Sequence, residues 1–250
     1  MCFVRGRCMK AVSRTNTGLV RNSNEDAVLT DMPDLFAIAD GMGGYAAGEI
    51  ASVETIKVLQ EEKKNFAGLT GAALCRALQE AASKANEHLL SLVSKTPDYE
   101  GMGTTLVAVY LAADGMAYAL NIGDSRLYLW RGGELKQITQ DHSYVAQLVS
   151  KGDITTEEAR RHPQRNVILR AVGADEVLES DVFSFKVEPG DRLLLCSDGL
   201  SDMASDEEIA AVLGERNVDK AADELLELAL NNGGRDNISV ILLDFGAEEI

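Results

Sequence analysis

Leu35-Phe36-Ala37-Ile38-Ala39-Asp40-Gly41-Met42-Gly43-Gly44 carries the reading of this chain. Consecutive apolar residues running into glycines predict a short buried strand that delivers one carboxylate, Asp40, to its tip. The glycines then let the backbone turn tightly and approach a ligand closely. A helix is predicted to begin soon after, at about Ala46. A strand ending in Asp at a glycine turn is one way to hold a cation, yet an Asp-Gly pair by itself is more often just a turn. The rest of the chain decides between the two.

The 250 residues, 46% hydrophobic and 26% charged, are ordinary for a soluble globular protein and enough to bury a full core. No apolar run approaches the ~20 residues of a membrane span, Thr104 to Ala113 being the longest. Met1 to Lys10 carries Arg5, Arg7 and Lys10 but no apolar stretch of signal-peptide length, so the cytoplasm is the expected compartment. Cys2, Cys8, Cys75 and Cys196 lack the spacing of a disulfide framework or a zinc site, and Cys196 reads as a buried small hydrophobe. A formal charge of −16 with dispersed Lys and Arg argues against nucleic acid as a partner.

Lys10 to Thr17 is predicted to be a strand, followed by the polar block Arg21-Asn22-Ser23-Asn24-Glu25-Asp26 before the apolar Ala27-Val28-Leu29. That block reads as a loop in which Arg21 either pairs locally with the acids or serves a ligand. Two helices follow, Ala46 to Lys64 and about Thr70 to Lys95. The second presents Leu74, Ala77, Leu78, Ala81, Ala82, Ala85, Leu89 and Val93 on one face, with His88 off it and read as solvated. The middle of the chain is β: Gly103 to Leu111, Met116 to Ile122, Arg126 to Trp130 and Leu135 to Ile138 are separated by short glycine turns, which favours antiparallel pairing. Gln140 to about Arg165 reads as two short helical pieces joined at Lys151-Gly152-Asp153, too polar to build a core and therefore a surface flap; His142 and His162 read as turn residues. Val182 to Val187 and Arg192 to Cys196 are strands, Val218 to Leu230 is an amphipathic helix, and Ile238 to Leu243 is the last strand. No internal repeat or interdomain linker interrupts this order.

Asp40, Asp124, Asp198 and Asp236 share one pattern: each lies beside or close to a glycine and abuts an apolar β run, while Asp26 stands at the start of one. Several such carboxylates on one edge would repel unless cations neutralise them. An all-oxygen donor set without His or Cys favours Mg²⁺ or Mn²⁺ over zinc. Two such ions activate water and orient phosphoryl oxygens, and the planar fork of Arg21 suits a phosphate.

The same residues carry a resemblance. Arg21 to Asp26, Asp40 to Gly44, Gly103-Thr104-Thr105, Asn121 to Arg126, Asp141-His142, Arg165 to Gly173, Ser197 to Asp202 and Gly234 to Ile238 follow the order of the metal-dependent protein phosphatases of type 2C. The chain resembles most their compact bacterial members, and the ordered set covers nearly all of it. The resemblance implies an α+β fold, a four-layer α-β-β-α sandwich of two antiparallel sheets flanked by helix pairs. It also implies one catalytic domain over residues 10–246, with a flap at about 142–165 and a tail at 1–9. Asp40 is similar to the aspartate that bridges two metals, with Gly41 offering its backbone carbonyl and Asp198 and Asp236 as the other direct ligands. Glu25 and Asp26 match acids that hold metal-bound water, and Arg21 matches the phosphate-binding arginine. Asp124 and Asp202, with Asp198, match a weaker third site. The implied cofactors are Mn²⁺ or Mg²⁺, two held tightly and a third weakly. The implied reaction is hydrolysis of phosphoserine or phosphothreonine by a metal-bridging water, reversing serine/threonine kinase signalling. The implied partners are phosphoproteins, above all a cognate serine/threonine kinase and its substrates, met by a monomer.

Where many eukaryotic members have a histidine after the Asp-Gly pair, this chain has Met42, which has no proton to donate. The general acid is thereby unassigned, water on the third metal being preferred to His162 of the flap. A catalytically inactive binding or regulatory relative is the rival reading, and the presence of Asp40, Asp198 and Asp236 disfavours it. A two-metal nuclease is disfavoured by the charge and the absence of a basic groove.

Overall fold

A computed structural model describes residues 2–4, 7–43 and 47–246. In chain order the elements are β1 (Cys2–Val4), β2 (Arg7–Asn16), β3 (Asp26–Asp31), β4 (Leu35–Met42), α1 (Ala47–Glu62), α2 (Gly71–Lys95), β5 (Gly103–Thr104), β6 (Leu106–Leu111), β7 (Met116–Ile122), β8 (Arg126–Arg131) and β9 (Glu134–Gln137). Then come α3 (Tyr144–Lys151), α4 (Thr156–Arg160), β10 (Asp181–Lys186), β11 (Arg192–Cys196), α5 (Asp198–Ser201), α6 (Asp206–Leu213), α7 (Val218–Asn231) and β12 (Ile238–Asp244).

The strands form two antiparallel sheets, one ordered β1-β2-β12-β11-β8-β9 and the other β10-β7-β6-β4-β3, with β5 paired to β4. The apolar runs are continuous because the central strands are covered on both faces. On β4, Leu35, Ala37 and Ala39 pack with α1 and α2, while Phe36 and Ile38 join the layer between the sheets. On β11, Leu193 and Leu195 face that same middle layer, while Leu194 and Cys196 pack with α6 and α7. Strand alternation therefore builds three apolar layers between four layers of structure, the α-β-β-α sandwich.

The helix stripes fall where their spacing puts them. Leu74, Leu78, Ala81, Ala82, Ala85 and Leu89 of α2 are buried, as are Val218, Ala221, Ala222, Leu225 and Ala229 of α7. Three details depart from expectation. Residues 2–4 and 7–9, read as part of a tail, are an antiparallel pair with Cys2 opposite Met9, and Met9 is fully buried between the sheets; Met1, Arg5 and Gly6 lie outside the described residues, as do Gly44 and Ala46. His88, read as solvated, faces Glu54 of α1 at 2.9 Å and ties the two helices together. The helix α6 was not anticipated, although Ser205 and Glu208 at its start form a capping box.

The two segments between β9 and β10 make a thin cover. Neither α3 nor α4 carries an apolar face into the core; α3 buries no residue and α4 only Ala159.

Candidate active site

Antiparallel pairing brings five aspartates to one end of the sandwich. Asp26 opens β3 directly opposite Asp40 near the end of β4. Asp124 follows β7, Asp198 follows β11, and Asp236 precedes β12, the antiparallel neighbour of β11. Strands that run in opposite directions place the end of one beside the start of the next, so residues far apart in sequence meet here.

The backbone around Asp40 is held from several sides. Its N–H donates to Thr105 Oγ1 (3.0 Å), and its carbonyl accepts from Thr104 Oγ1 (2.8 Å) and from the Thr105 N–H (2.9 Å). The Gly41 N–H donates to the Glu25 carbonyl at 3.1 Å. Gly41 is required by proximity: a Cβ there would lie 2.1 Å from the Gly48 carbonyl oxygen and 2.7 Å from that of Glu25.

Asn237 fastens the Arg21 loop to the sheet. Its Nδ2 donates to the carbonyls of Thr17 (3.0 Å) and Ser23 (2.8 Å), and its Oδ1 accepts from the Glu25 N–H (2.8 Å). Gly18 sits at φ 79°, where a Cβ would lie 2.2 Å from the Asp236 carbonyl oxygen, so loop and strand entrance are in direct backbone contact. Arg21 Nη2 donates to Asp236 Oδ2 at 2.7 Å. Ser197 Oγ donates to Asp26 Oδ2 (2.9 Å) and accepts from the Ser239 N–H (3.0 Å).

Two cavities share this edge. One, about 210 Å³, is lined by Arg21, Glu25, Asp40, Gly41, Met42, Asp124, Asn166, Ile168, Asp198 and Asp236 among others. The second, about 460 Å³, lies under the flap and adds Asp202, Arg126, Asp141 and Arg165 to Asp124 and Asp198. Arg126 is clamped onto Asp141 by Nε and Nη2 at 2.7–3.0 Å, and Arg165 Nε stands 3.7 Å from Asp202.

The carboxylates disfavour one another's charge. Burial first, and then Asp26, Asp198, Asp124 and Asp236, push Asp40 well above the usual range. Asp198 is pushed up by burial and by Asp124, Asp202, Asp236 and Asp26. Burial and Asp141 raise Asp124 to about 7, and burial raises Asp26 to about 6 against the hydrogen bonds from Ser239 and Ser197. Glu25 and Asp202 are raised by burial as well. Buried oxygens Oδ1 of Asp26 and of Asp198 have no hydrogen-bond partner. A set of acids that resist ionisation together, with unpaired oxygens, is what an oxygen-ligated cation relieves. Among the described residues no three Asp, Glu, His or Cys side chains are gathered closely enough to ligate an ion as they stand. The donor chemistry fits a divalent cation, and the carboxylates must draw closer together to take it.

The histidines lie off the cleft. His142 is buried, accepts at Nδ1 from the Gly123 N–H (3.2 Å) and faces Asp181 with Nε2 (3.2 Å); burial lowers its pKa, keeping the ring neutral. His162 packs its ring against Tyr144 and accepts at Nδ1 from the Gln164 N–H (3.1 Å). It lines neither cavity, which removes the support for His162 as general acid. Sequence reading gave no individual role to Thr104, Thr105, Asn237, Ser197 or Arg126. Each stands in one of the ordered blocks, but what each bonds to is set by another strand.

A model of the protein phosphatase 2C family matches residues 17–238. The chain belongs to that family. Serine/threonine protein phosphatase PstP of Mycobacterium tuberculosis is 45% identical over 94% of this chain and 45% of its own length, so the chain spans about half of that relative. Serine/threonine phosphatase stp of Listeria innocua is 38% identical over 94% of this chain and 96% of its own. A crystal structure of the catalytic domain of PstP in complex with two manganese ions is 43% identical, covers 94% of this chain and 97% of that one, and superposes with a TM-score of 0.85.

Proposed function

We propose that the chain hydrolyses phosphoserine and phosphothreonine in phosphoproteins with Mn²⁺ or Mg²⁺ as cofactor, residues 10–246 being the catalytic unit. The observation that carries this reading is the convergence of Asp40, Asp198, Asp236 and Arg21 on one small cleft, with carboxylates that resist ionisation in each other's company. Asp40, the Gly41 carbonyl, Asp198 and Asp236 would hold two ions, with Glu25 and Asp26 reaching them through water. Asp124 and Asp202, with Asp198, would hold a weaker third, as their shared cavity supports. When bound, such ions supply Lewis acidity, which activates water and neutralises phosphoryl charge. Arg21 then exchanges part of its bond to Asp236 for a bidentate grip on the phosphate and orients it for in-line attack. The Thr104–Thr105 bonds hold the backbone of Asp40, so that only its carboxylate has to move, and Asn237 holds the Arg21 loop in the same way. Met42 lines the cleft but has no proton to give, so protonation of the leaving alkoxide would fall to water held at the third site.

The manganese-bound PstP relative supports the cofactor reading. No helix of the described residues is long and apolar enough to cross a membrane. A cognate serine/threonine kinase and its substrates, met by a monomer in the cytoplasm, are the partners and setting of this reading. The test is phosphate release from phosphothreonine peptides with Mn²⁺ or Mg²⁺, with and without chelator, for wild type, Asp40→Asn and Asp124→Ala. Turnover that requires metal and Asp40 is expected, with Asp124→Ala slower at saturating Mn²⁺. Metal-independent or absent turnover overturns the reading, and an unchanged Asp124→Ala rate overturns the third site alone.

A further inference from the structure

A cleft of about 210 Å³ has room for the phosphorylated side chain and little else, so residues that flank it in a substrate must be read outside. An opening of about 490 Å³ adjoins the cleft between the end of α2 and the segment 168–175. Met42 and Ile168 line both, so the two are adjacent. The walls of this groove include Leu90 and Val93 of α2, Met102 and Leu169.

The exposed apolar surface has the same centre. Among the described residues five large hydrophobic side chains are exposed: Leu19, Val20, Val167, Leu169 and Val177. Leu19 and Val20 directly precede Arg21, and Val167 and Leu169 bracket Ile168, so four of the five border cleft residues on its two sides. In a chain of net charge −16, four exposed apolar side chains next in sequence to residues of one cleft mark a recognition surface.

We propose that this groove receives a large apolar side chain of the phosphoprotein substrate, two or three residues from the phosphorylated one. An extended segment advances about 3.3 Å per residue, so two or three residues cover roughly 7–10 Å, a reach suited to a neighbouring subsite. The surrounding acidity weakens binding of acidic flanks over longer distances, which leaves apolar contact as the discriminating term. The substrate class is thus phosphopeptide segments with Leu-like residues near the phosphoresidue. This rests on the phosphatase reading above.

The experiment uses phosphothreonine peptides that differ only in Leu or Ser at the second and third positions on either side. It measures kcat/KM with Mn²⁺ or Mg²⁺, and binding of non-hydrolysable phosphonate versions by fluorescence anisotropy. Wild type is expected to favour the better-placed Leu peptide about tenfold in both measurements. Leu169→Asp and Leu90→Glu are expected to bring the ratio to about one; if Leu90→Glu fails to fold by circular dichroism, Leu169→Asp, on an exposed side chain, carries the test. Equal kcat/KM and equal binding for Leu and Ser peptides overturn the groove and leave hydrolysis standing. Absence of turnover overturns hydrolysis; anisotropy then decides the groove, preferential Leu binding supporting it and equal binding overturning it. Self-association of the protein through Leu169, with no peptide preference, also overturns it.

Discussion

Replacing Arg126 with methionine tests how the edge of the acidic cluster is held. The guanidinium makes three short contacts to Asp141 and donates from Nη1 to Tyr128 Oη at 2.9 Å. The side chains of Arg126 and Asp141 are 21% and 12% exposed. Without Arg126, Asp141 retains the bond from Gln137 Nε2 (2.8 Å) but loses its counter-charge in a largely buried position, beside Asp124 and Asp202. Breaking a buried pair by removing one partner costs roughly 3–5 kcal/mol, and residual solvent contact places this pair at the lower end, about 3 kcal/mol. For a chain of this size that corresponds to a fall in Tm of about 6–12 °C. The assay is thermal unfolding by circular dichroism in chelator, on Arg126→Met, Asp141→Leu and the double variant. The double variant should regain at least half the loss, because no buried charge is then left alone. A second readout follows from Asp124: Arg126 opposes the rise of its pKa, so the variant should need more Mn²⁺ for half-maximal activity. A loss below 2 °C, or a double variant no more stable than Arg126→Met, would refute this account.

Asp198→Asn is expected to reduce turnover by about a thousandfold while raising the Tm of the metal-free protein, because the neutral amide no longer repels Asp124 and Asp202. Loss of both activity and metal-free stability would show that Asp198 serves the fold rather than an ion. The pH dependence of the metal-free protein has a definite sign. Asp26 and Asp124 have folded-state pKa values raised to about 6 and about 7, so their contribution is fully present below the unfolded value of ~3.9 and is lost as pH rises through 6 to 7. Tm in chelator should therefore rise as pH is lowered from 8 to 5.5, and saturating Mn²⁺ should weaken or reverse that trend as protons compete for the ligands. A Tm in chelator that falls over the same interval would contradict the crowding of the carboxylates.

Much of the architecture was legible because its periodicities are strong. The α2 stripe from Leu74 to Leu89 and the α7 stripe from Val218 to Ala229 are buried as their spacing requires. The β-runs from Gly103 to Ile138 are separated by glycine turns too short for crossovers, and β6 with β7 and β8 with β9 pair antiparallel as that requires, whereas the Gly123 turn carries the chain from one sheet to the other. The first strand pair was not legible, since Cys2–Val4 is short and gains stability only from the partner beside it. His88 looked solvated because its partner Glu54 belongs to another helix.

At the Asp40-Gly41 turn the division is sharpest. The sequence by itself determined that carboxylates end or begin apolar strands beside glycine, that no His or Cys joins them, and that their order is that of the type 2C phosphatases. Only the tertiary structure decided that β11 and β12 carry Asp198 and Asp236 to the same end as Asp40, and that Thr104, Thr105 and Asn237 lock the backbone there. It alone set His162 off the cleft and placed an apolar groove beside it, Met42 and Ile168 lining both. The physical reason is one of range. A residue's type and its immediate neighbours set its chemistry and local conformation, whereas burial, repulsion and hydrogen-bond partners come from segments up to 220 residues away.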